Sequence, residues 1–251
     1  MKIVVLCKYI RDEEQITVND DRSLCTEKAP WVISQYDLNA IEAAMRLARE
    51  SEGEVSILTV GGEALDNSKM KKAALSRGPA KLYGIKTDEC EDIFSTASLL
   101  KQGIDRIGDV DVVVCGEGSG DMYSQQMGNI LGSLMDVPVL NSVSSLEYAD
   151  GAVVAGRNNG ERVETFKITG RAVLSVTSDI CPTHIPSLKE IMGAGKKPVE
   201  IWPVSDFDAP ASTAETGSGL APEQMERMQQ VFRESDENGV DDFVSAMRKY
   251  I

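Results

Sequence analysis

The sequence predicts an α/β protein: a mostly parallel, doubly wound sheet with helices on both faces, then a small β-hairpin region and a C-terminal arm. Three observations predict it. From residue 2 to residue 140, short apolar runs alternate with segments whose apolar residues recur at helical spacing, the pattern of strand–helix–strand units. The runs are apolar throughout, as strands covered on both faces are. After residue 150 the long helical segments stop, and strand-like runs follow one another directly.

The elements follow in order. Lys2 to Cys7 is a buried strand. Asp37 to Arg49 is a helix: Leu38, Ile41, Met45 and Ala48 share one face, and Asp37 or Ser34 can cap its start. Glu54 to Val60 is the next strand, ending at Gly61-Gly62. Residues 64 to 77 are helical, with Gly78 placed as the cap. Lys81 to Ile85 is a short strand, and Ile93, Ala97, Leu100 and Ile104 mark another helix face. Val110 to Cys115 is a continuous β run, Ser124 to Met135 a helix, and Val137 to Leu140 a short strand. Gly151 to Ala155 and Val163 to Ile168 form a hairpin around Asn158-Asn-Gly160, and Ala172 to Thr177 is a further strand. Asp179 to Pro186 is loop-like, and Pro186 to Met192 a short helix. Residues 1 to 202 read as one domain and 203 to 251 as linker and arm. The stretch from 203 to 221 is rich in Pro, Ser, Thr, Gly and Ala. Val240, Phe243, Val244, Met247 and Ile251 then make the apolar stripe of a terminal helix. Such a helix either folds back or docks on another chain, and periodicity leaves both open.

Composition narrows the function classes. A formal net charge of −14 repels phosphate backbones and argues against nucleic acid as a partner. It suits solubility or docking on a basic protein face, although a solvated acidic surface needs no partner. No window approaches the roughly 20 apolar residues of a membrane helix. The run from Ile3 to Cys7 is too short for a signal-peptide core, so the expectation is a cytoplasmic protein. Cys7, Cys25, Cys90, Cys115 and Cys181 form no C-x-x-C pair, which fits reduced thiols and not a disulfide framework or a zinc site. Cys7 and Cys115 read as small core hydrophobes. No catalytic residue and no metal ligand set stands out.

Loops after Cys7, Val60 and Cys115 belong to the edge of the sheet where open α/β proteins bind ligands. The third is Gly116-Glu-Gly-Ser-Gly-Asp-Met-Tyr-Ser-Gln-Gln-Met-Gly128. It holds no lysine, so it is not the triphosphate loop of ATPases. Its Gly116 and Gly118 fit a dinucleotide fingerprint, but Asp121 takes the third glycine's place. What remains is a glycine-rich turn feeding a helix from Ser124, whose free N–H groups favour a phosphate. Ser119, Ser124, Gln125 and Gln126 add neutral donors, and Gly128 lets a ligand or a neighbouring strand come close. Asp121 and Glu117 oppose a highly charged polyphosphate. A turn with no ligand is the competing reading.

These residues resemble the β subunit of electron transfer flavoprotein over nearly the whole chain. The resemblance rests on Lys2 to Lys8, Ser34-Gln-Tyr-Asp-Leu-Asn-Ala-Ile-Glu-Ala-Ala44, Leu75-Ser-Arg-Gly78, Asp111 to Gly128, and Ile185-Pro-Ser-Leu-Lys-Glu-Ile-Met-Gly-Ala-Gly-Lys-Lys-Pro198. The second and last segments are similar to the branch found beside anaerobic acyl-CoA and carnitine metabolism and nitrogen fixation. The resemblance implies an adenine-nucleotide-binding domain paired with an α subunit that carries the redox-active FAD. It implies a C-terminal arm that wraps that subunit. It implies AMP as a structural ligand, or a second FAD in members that bifurcate electrons from NADH. The nucleotide would lie against Leu6, Ser34, Gln35, Tyr36, Asp37, Val60 and Gly61. On the glycine-rich loop it would lie against Gly116, Glu117, Gly118, Ser119, Gly120, Asp121, Ser124, Gln125, Gln126, Met127 and Gly128. The segment from Pro186 to Lys197 resembles the recognition loop for an acyl-CoA dehydrogenase-like flavoenzyme, with Leu188 as anchor and Ile191 and Met192 beside it.

Two other functions compete. A stand-alone adenine-nucleotide-binding regulator would keep the fold without a redox partner. An adenylating enzyme would need a phosphate motif after the first strand, where this chain has Lys8-Tyr-Ile-Arg-Asp12.

Overall fold

A computed structural model describes residues 1–87, 92–208, 210–213, 219–223, 229–233, 235 and 237–249. Its strands are β1 (Lys2–Leu6), β2 (Tyr9–Arg11), β3 (Thr17–Val18), β4 (Leu24–Cys25), β5 (Trp31–Ile33), β6 (Glu54–Gly61), β7 (Lys81–Lys86), β8 (Val112–Gly116), β9 (Val139–Ala149), β10 (Ala152–Asn158), β11 (Val163–Ile168), β12 (Ala172–Val176) and β13 (Val199–Pro203). The helices are α1 (Gln35–Glu50), α2 (Ser68–Leu75), α3 (Ile93–Ile107), α4 (Met127–Met135), α5 (Leu188–Ala194) and α6 (Gly239–Met247).

The chain divides into two units. The larger holds 1–17 and 25–218, the smaller 18–24 and 219–251. The larger is built on a nine-stranded sheet of order β11-β10-β9-β12-β8-β1-β6-β7-β13. From β9 to β13 the neighbours run parallel, while β10 pairs antiparallel with β9 and β11. The predicted α/β class, with its small hairpin region, is the one the structure has.

Alternation along the strands explains the two layers. Ile3, Val5, Val55, Ile57, Val114 and Leu174 face a core that contains Ala40, Ile41, Ala44 and Leu47 of α1 and Met70 and Ala74 of α2. Val4, Leu6, Leu58, Val113 and Val173 face the opposite core, with Leu99, Leu100 and Ile104 of α3 and Leu131 of α4. Strands buried on both faces leave no room for polar alternation, which is why their sequences read as unbroken apolar runs.

After β1 the chain builds β6 and β7 on one side, then places β8 on the other side of β1. The order therefore reverses between β1 and β8, the position beyond whose carboxyl ends open α/β sheets bind their ligands.

Several elements differ from the sequence reading. The helix expected from Ser124 begins at Met127, because Tyr123 and Gln125 take left-handed backbone (φ 43° and 55°). The helix expected over 64–77 is a short 3-10 turn followed by α2. The strand expected over 137–140 runs on to Ala149, because antiparallel pairing with β10 extends it. β2 and β5 pair antiparallel after β1, and β13 adds a parallel edge beside β7. Residues 204–208 and 210–213 lie along α3: Arg106 pairs with Asp206, Gln102 with Asp208, and Thr213 donates to Asp92.

Cys7 and Cys115 are core residues, 5% and 3% exposed. Burial pushes the Cys115 thiol up to about 12 and raises that of Cys7. Cys90 and Ile251 lie outside the described residues.

In the smaller unit, Ala221 N–H donates to Arg22 O, and Arg22 pairs with Glu223. Phe243 of α6 meets Phe232 edge-on, with ring centroids 5.7 Å apart. Val240, Phe243, Val244 and Met247 remain exposed.

Candidate functional site

Two carboxylates and one lysine organise the loops that follow β1 and β8. Asp37, in the first turn of α1, is 6% exposed. It accepts the backbone N–H of Lys8 at 2.7 Å and also a bond from the backbone of Gly116. One carboxyl thus ties the end of β1 to the end of β8. Burial pushes it up to about 7, against the pull of those bonds and of the Lys8 charge. Ser34 precedes α1, fully buried, and makes no side-chain cap; its Oγ accepts the N–H of Gly120 at 3.3 Å.

Asp121 is the second carboxylate. Lys8 Nζ reaches its oxygens at 2.7 and 2.9 Å, and Ser119 Oγ donates to it at 2.6 Å. Burial alone would raise this carboxyl, but Lys8 and Ser119 hold it below its ordinary value. The lysine missing from the loop's own sequence is therefore supplied by the end of β1. Lys8 is the residue here that sequence reasoning left out of the site; its signal was a charge directly after a buried strand.

Tyr36 and Tyr123 stack at a tilt, centroids 5.1 Å apart. Tyr123 Oη donates to Glu117 Oε1 at 3.1 Å and accepts from Gln125 Nε2 at 3.3 Å. A Cβ on Gly118 would run into the Tyr123 ring, and one on Gly116 would lie 2.6 Å from Tyr36 Cβ. A Cβ on Gly128 would strike Ser175 Oγ of β12. These three glycines are accounted for by close packing of the protein on itself. Of the two reasons the sequence offered for Gly128, the structure supplies the neighbouring strand.

The predicted residues fall into four groups. Leu6, Ser34, Gln35, Tyr36, Asp37 and Gly116 to Asp121 gather at the β1–β8 switch point. Ser124, Gln125 and Gln126 are exposed ahead of Met127 and Gly128 at the start of α4, which has no side-chain cap. Val60 and Gly61 end β6, on the far side of β1 from β8. Leu188 and Met192 are 74% and 70% exposed on α5, with Ile191 beside them at 41%. Ser187 and Glu190 form a capping box there, and His184 Nε2 sits 3.0 Å from Glu190. Bonds from the Ser187 hydroxyl and N–H, then from His184, pull the Glu190 carboxyl down to about 2.

Among the described residues, no helix is long and apolar enough to cross a membrane. The fold defines a doubly wound α/β protein whose strand order reverses between β1 and β8. Residues 23–207 match the electron transfer flavoprotein domain, and the chain belongs to that family. Its members are electron carriers that work through bound flavin.

Proposed function

We propose that this chain is the β subunit of a heterodimeric electron transfer flavoprotein, of the branch its α1 and α5 segments resemble. It shuttles electrons between an acyl-CoA dehydrogenase-like flavoenzyme and a second redox partner, with an α subunit carrying the redox-active FAD. The crevice holds AMP or a second FAD. Residues 1–202 form the nucleotide domain, and 203–251 the linker and the arm that docks on the α subunit. The setting is the cytoplasm.

The observation that carries this reading is the uncapped start of α4 beside the β1–β8 switch point, in a chain of this family. The residues fit a nucleotide phosphate. N–H groups of the Ser124–Gly128 stretch would hold it, the helix dipole favours its charge, and Lys8 is the nearby cation. Tyr36 and Ser34 flank the place where the rest of the nucleotide would lie. The bound flavin supplies the redox chemistry; this chain positions it, orders the mouth through Asp37, and keeps charge balanced through Lys8 and Asp121. The exposed Leu188, Ile191 and Met192 support docking at α5, since apolar anchors of this kind fill partner pockets.

Co-expression with the α subunit, followed by the visible spectrum and separation of the released nucleotides, tests the reading. A yellow heterodimer with one FAD and one AMP, or with two FAD, supports it, and the count decides whether the chain belongs with the bifurcating members. A colourless monomer holding only an adenine nucleotide would replace it with the stand-alone regulator.

A further inference from the structure

The helices α2 and α5 pack against each other in the larger unit. Ala194 of α5 is buried in the same core as Met70 and Ala74 of α2. A Cβ added to Gly195, just after α5, would lie 3.4 Å from Lys72 Cε of α2. Lys69 is one turn before Lys72 and shares its helix face. Both lysines are thus on the flank of α5, whose Leu188 and Met192 stand exposed.

The charges here are nearly all of one sign. Ser68 to Arg77 carries three lysines and one arginine and no carboxylate, and Thr183 to Pro198 carries three lysines against Glu190 alone. Glu190 is turned to the start of its own helix, where it accepts from the Ser187 N–H and hydroxyl at 2.7 Å and faces His184 at 3.0 Å. Elsewhere Lys8, Lys81, Lys86 and Lys101 each hold a carboxylate oxygen at 2.7 Å. Lys69, Lys72, Lys189 and Lys196 are exposed, and none of them pairs with a carboxylate among the described residues. In a chain of net charge −14 such a patch stands out. Gathered like charges repel one another until an opposite charge arrives from outside.

Exposed apolar side chains beside unpaired cations suit a pocket with an acidic rim. We propose that α2 and α5 form one docking surface, on which Lys69, Lys72, Lys189 and Lys196 meet carboxylates around the partner pocket that Leu188 fills. It rests on the proposed docking of a dehydrogenase-like flavoenzyme at α5, to which it adds the α2 flank and the sign of charge on the partner. An anionic membrane also attracts lysines, but it is a continuous negative surface that would repel the rest of this acidic chain. A pocket rim places its negative charge only where the lysines are. Rim charges set how fast a partner arrives and how salt acts on that rate, while the apolar anchor sets how long it stays.

Surface plasmon resonance of the intact chain, co-expressed with its α subunit, over an immobilised acyl-CoA dehydrogenase tests this. Lys69→Glu combined with Lys72→Glu should slow association about tenfold at low ionic strength and flatten its salt dependence, with dissociation changed less than about twofold. Lys69→Gln combined with Lys72→Gln should slow it by a smaller factor. Both lysines are exposed, so the melting temperature should stay within about 2 °C of the parent's. Parental association and salt dependence in the glutamate pair, with Leu188→Ala still speeding dissociation, would overturn the proposal and leave docking at α5 standing. A dehydrogenase that binds Leu188→Ala as it binds the parent would remove the docking reading itself. Vesicles of phosphatidylglycerol and phosphatidylcholine supply the remaining arm. Binding of the parent to them that the glutamate pair loses, with enzyme association unchanged, would assign the lysines to a membrane instead.

Discussion

Lys8 Nζ lies 2.7 and 2.9 Å from the two oxygens of Asp121, so the end of β1 clasps the loop that follows β8. The side chains are 45% and 38% exposed, and a pair so open to water adds under about 1 kcal/mol to stability. On the proposed nucleotide reading, its effect on an anionic ligand should be larger. Asp121→Asn frees Lys8 and should tighten AMP binding about threefold to tenfold, while Lys8→Met leaves Asp121 unpaired and should weaken it about tenfold. Titration calorimetry of the two variants reads this directly, and equal shifts in the same direction would reject it.

Asp37 predicts a pH dependence. Its folded carboxyl, raised by burial to about 7, holds a proton that the unfolded chain releases near the ordinary carboxylate value of about 3.9. The stability this proton contributes is complete below the unfolded value and is lost as pH rises through the folded one. Between about pH 4 and pH 8 the parent should lose on the order of 3 kcal/mol relative to Asp37→Asn. Urea unfolding of both proteins across that range checks it; parallel pH profiles would dispose of the idea.

Gly128 predicts a packing cost. Alanine is the better helix former by about 0.8–1 kcal/mol, but the added methyl would strike Ser175 Oγ, with Cys115 Sγ at 3.5 Å and Asn141 Oδ1 at 3.6 Å behind it. Overpacking of a tight helix–sheet contact costs about 1–3 kcal/mol, so Gly128→Ala should be net destabilising. The double change Gly128→Ala with Ser175→Gly should recover part of the loss, read from denaturation midpoints.

Leu188 predicts a separation of function from stability. It is 74% exposed, so Leu188→Ala should move the unfolding free energy by no more than about 0.5 kcal/mol. On the proposed docking mode it should weaken binding of the dehydrogenase at least about tenfold and leave AMP binding unchanged. Surface plasmon resonance against the partner enzyme, beside AMP calorimetry, distinguishes these arms.

Much of the fold was legible because its strands are short, apolar and separated by helices with clear faces. Ile41 in α1 and Leu100 and Ile104 in α3 are buried as their spacing required. The start of α4 was not legible, since nothing in the residue types of Tyr123 and Gln125 announces left-handed backbone. β13 escaped notice because a five-residue edge strand containing Glu200 and ending in Pro203 lacks the unbroken apolar run of the interior strands. The loops after β1 and β8 were brought side by side by the order of the elements. The purpose of its glycines was not, because a residue type says that Cβ is absent but not what fills the space. Tyr36 and Tyr123 fill it at Gly116 and Gly118.

Lys197 Nζ donates to the carbonyls of Leu75, Gly78 and Pro79, and Asn39 Nδ2 holds Cys181 O at 2.9 Å. The segment carrying α5 is thus moored at both ends, on α2 and on α1. Its apolar side chains are displayed on a stiff mount that is complete before any encounter. A visitor to that face finds little left to freeze, so loss of a contact there should show in how long the visitor stays, and not in how quickly it arrives.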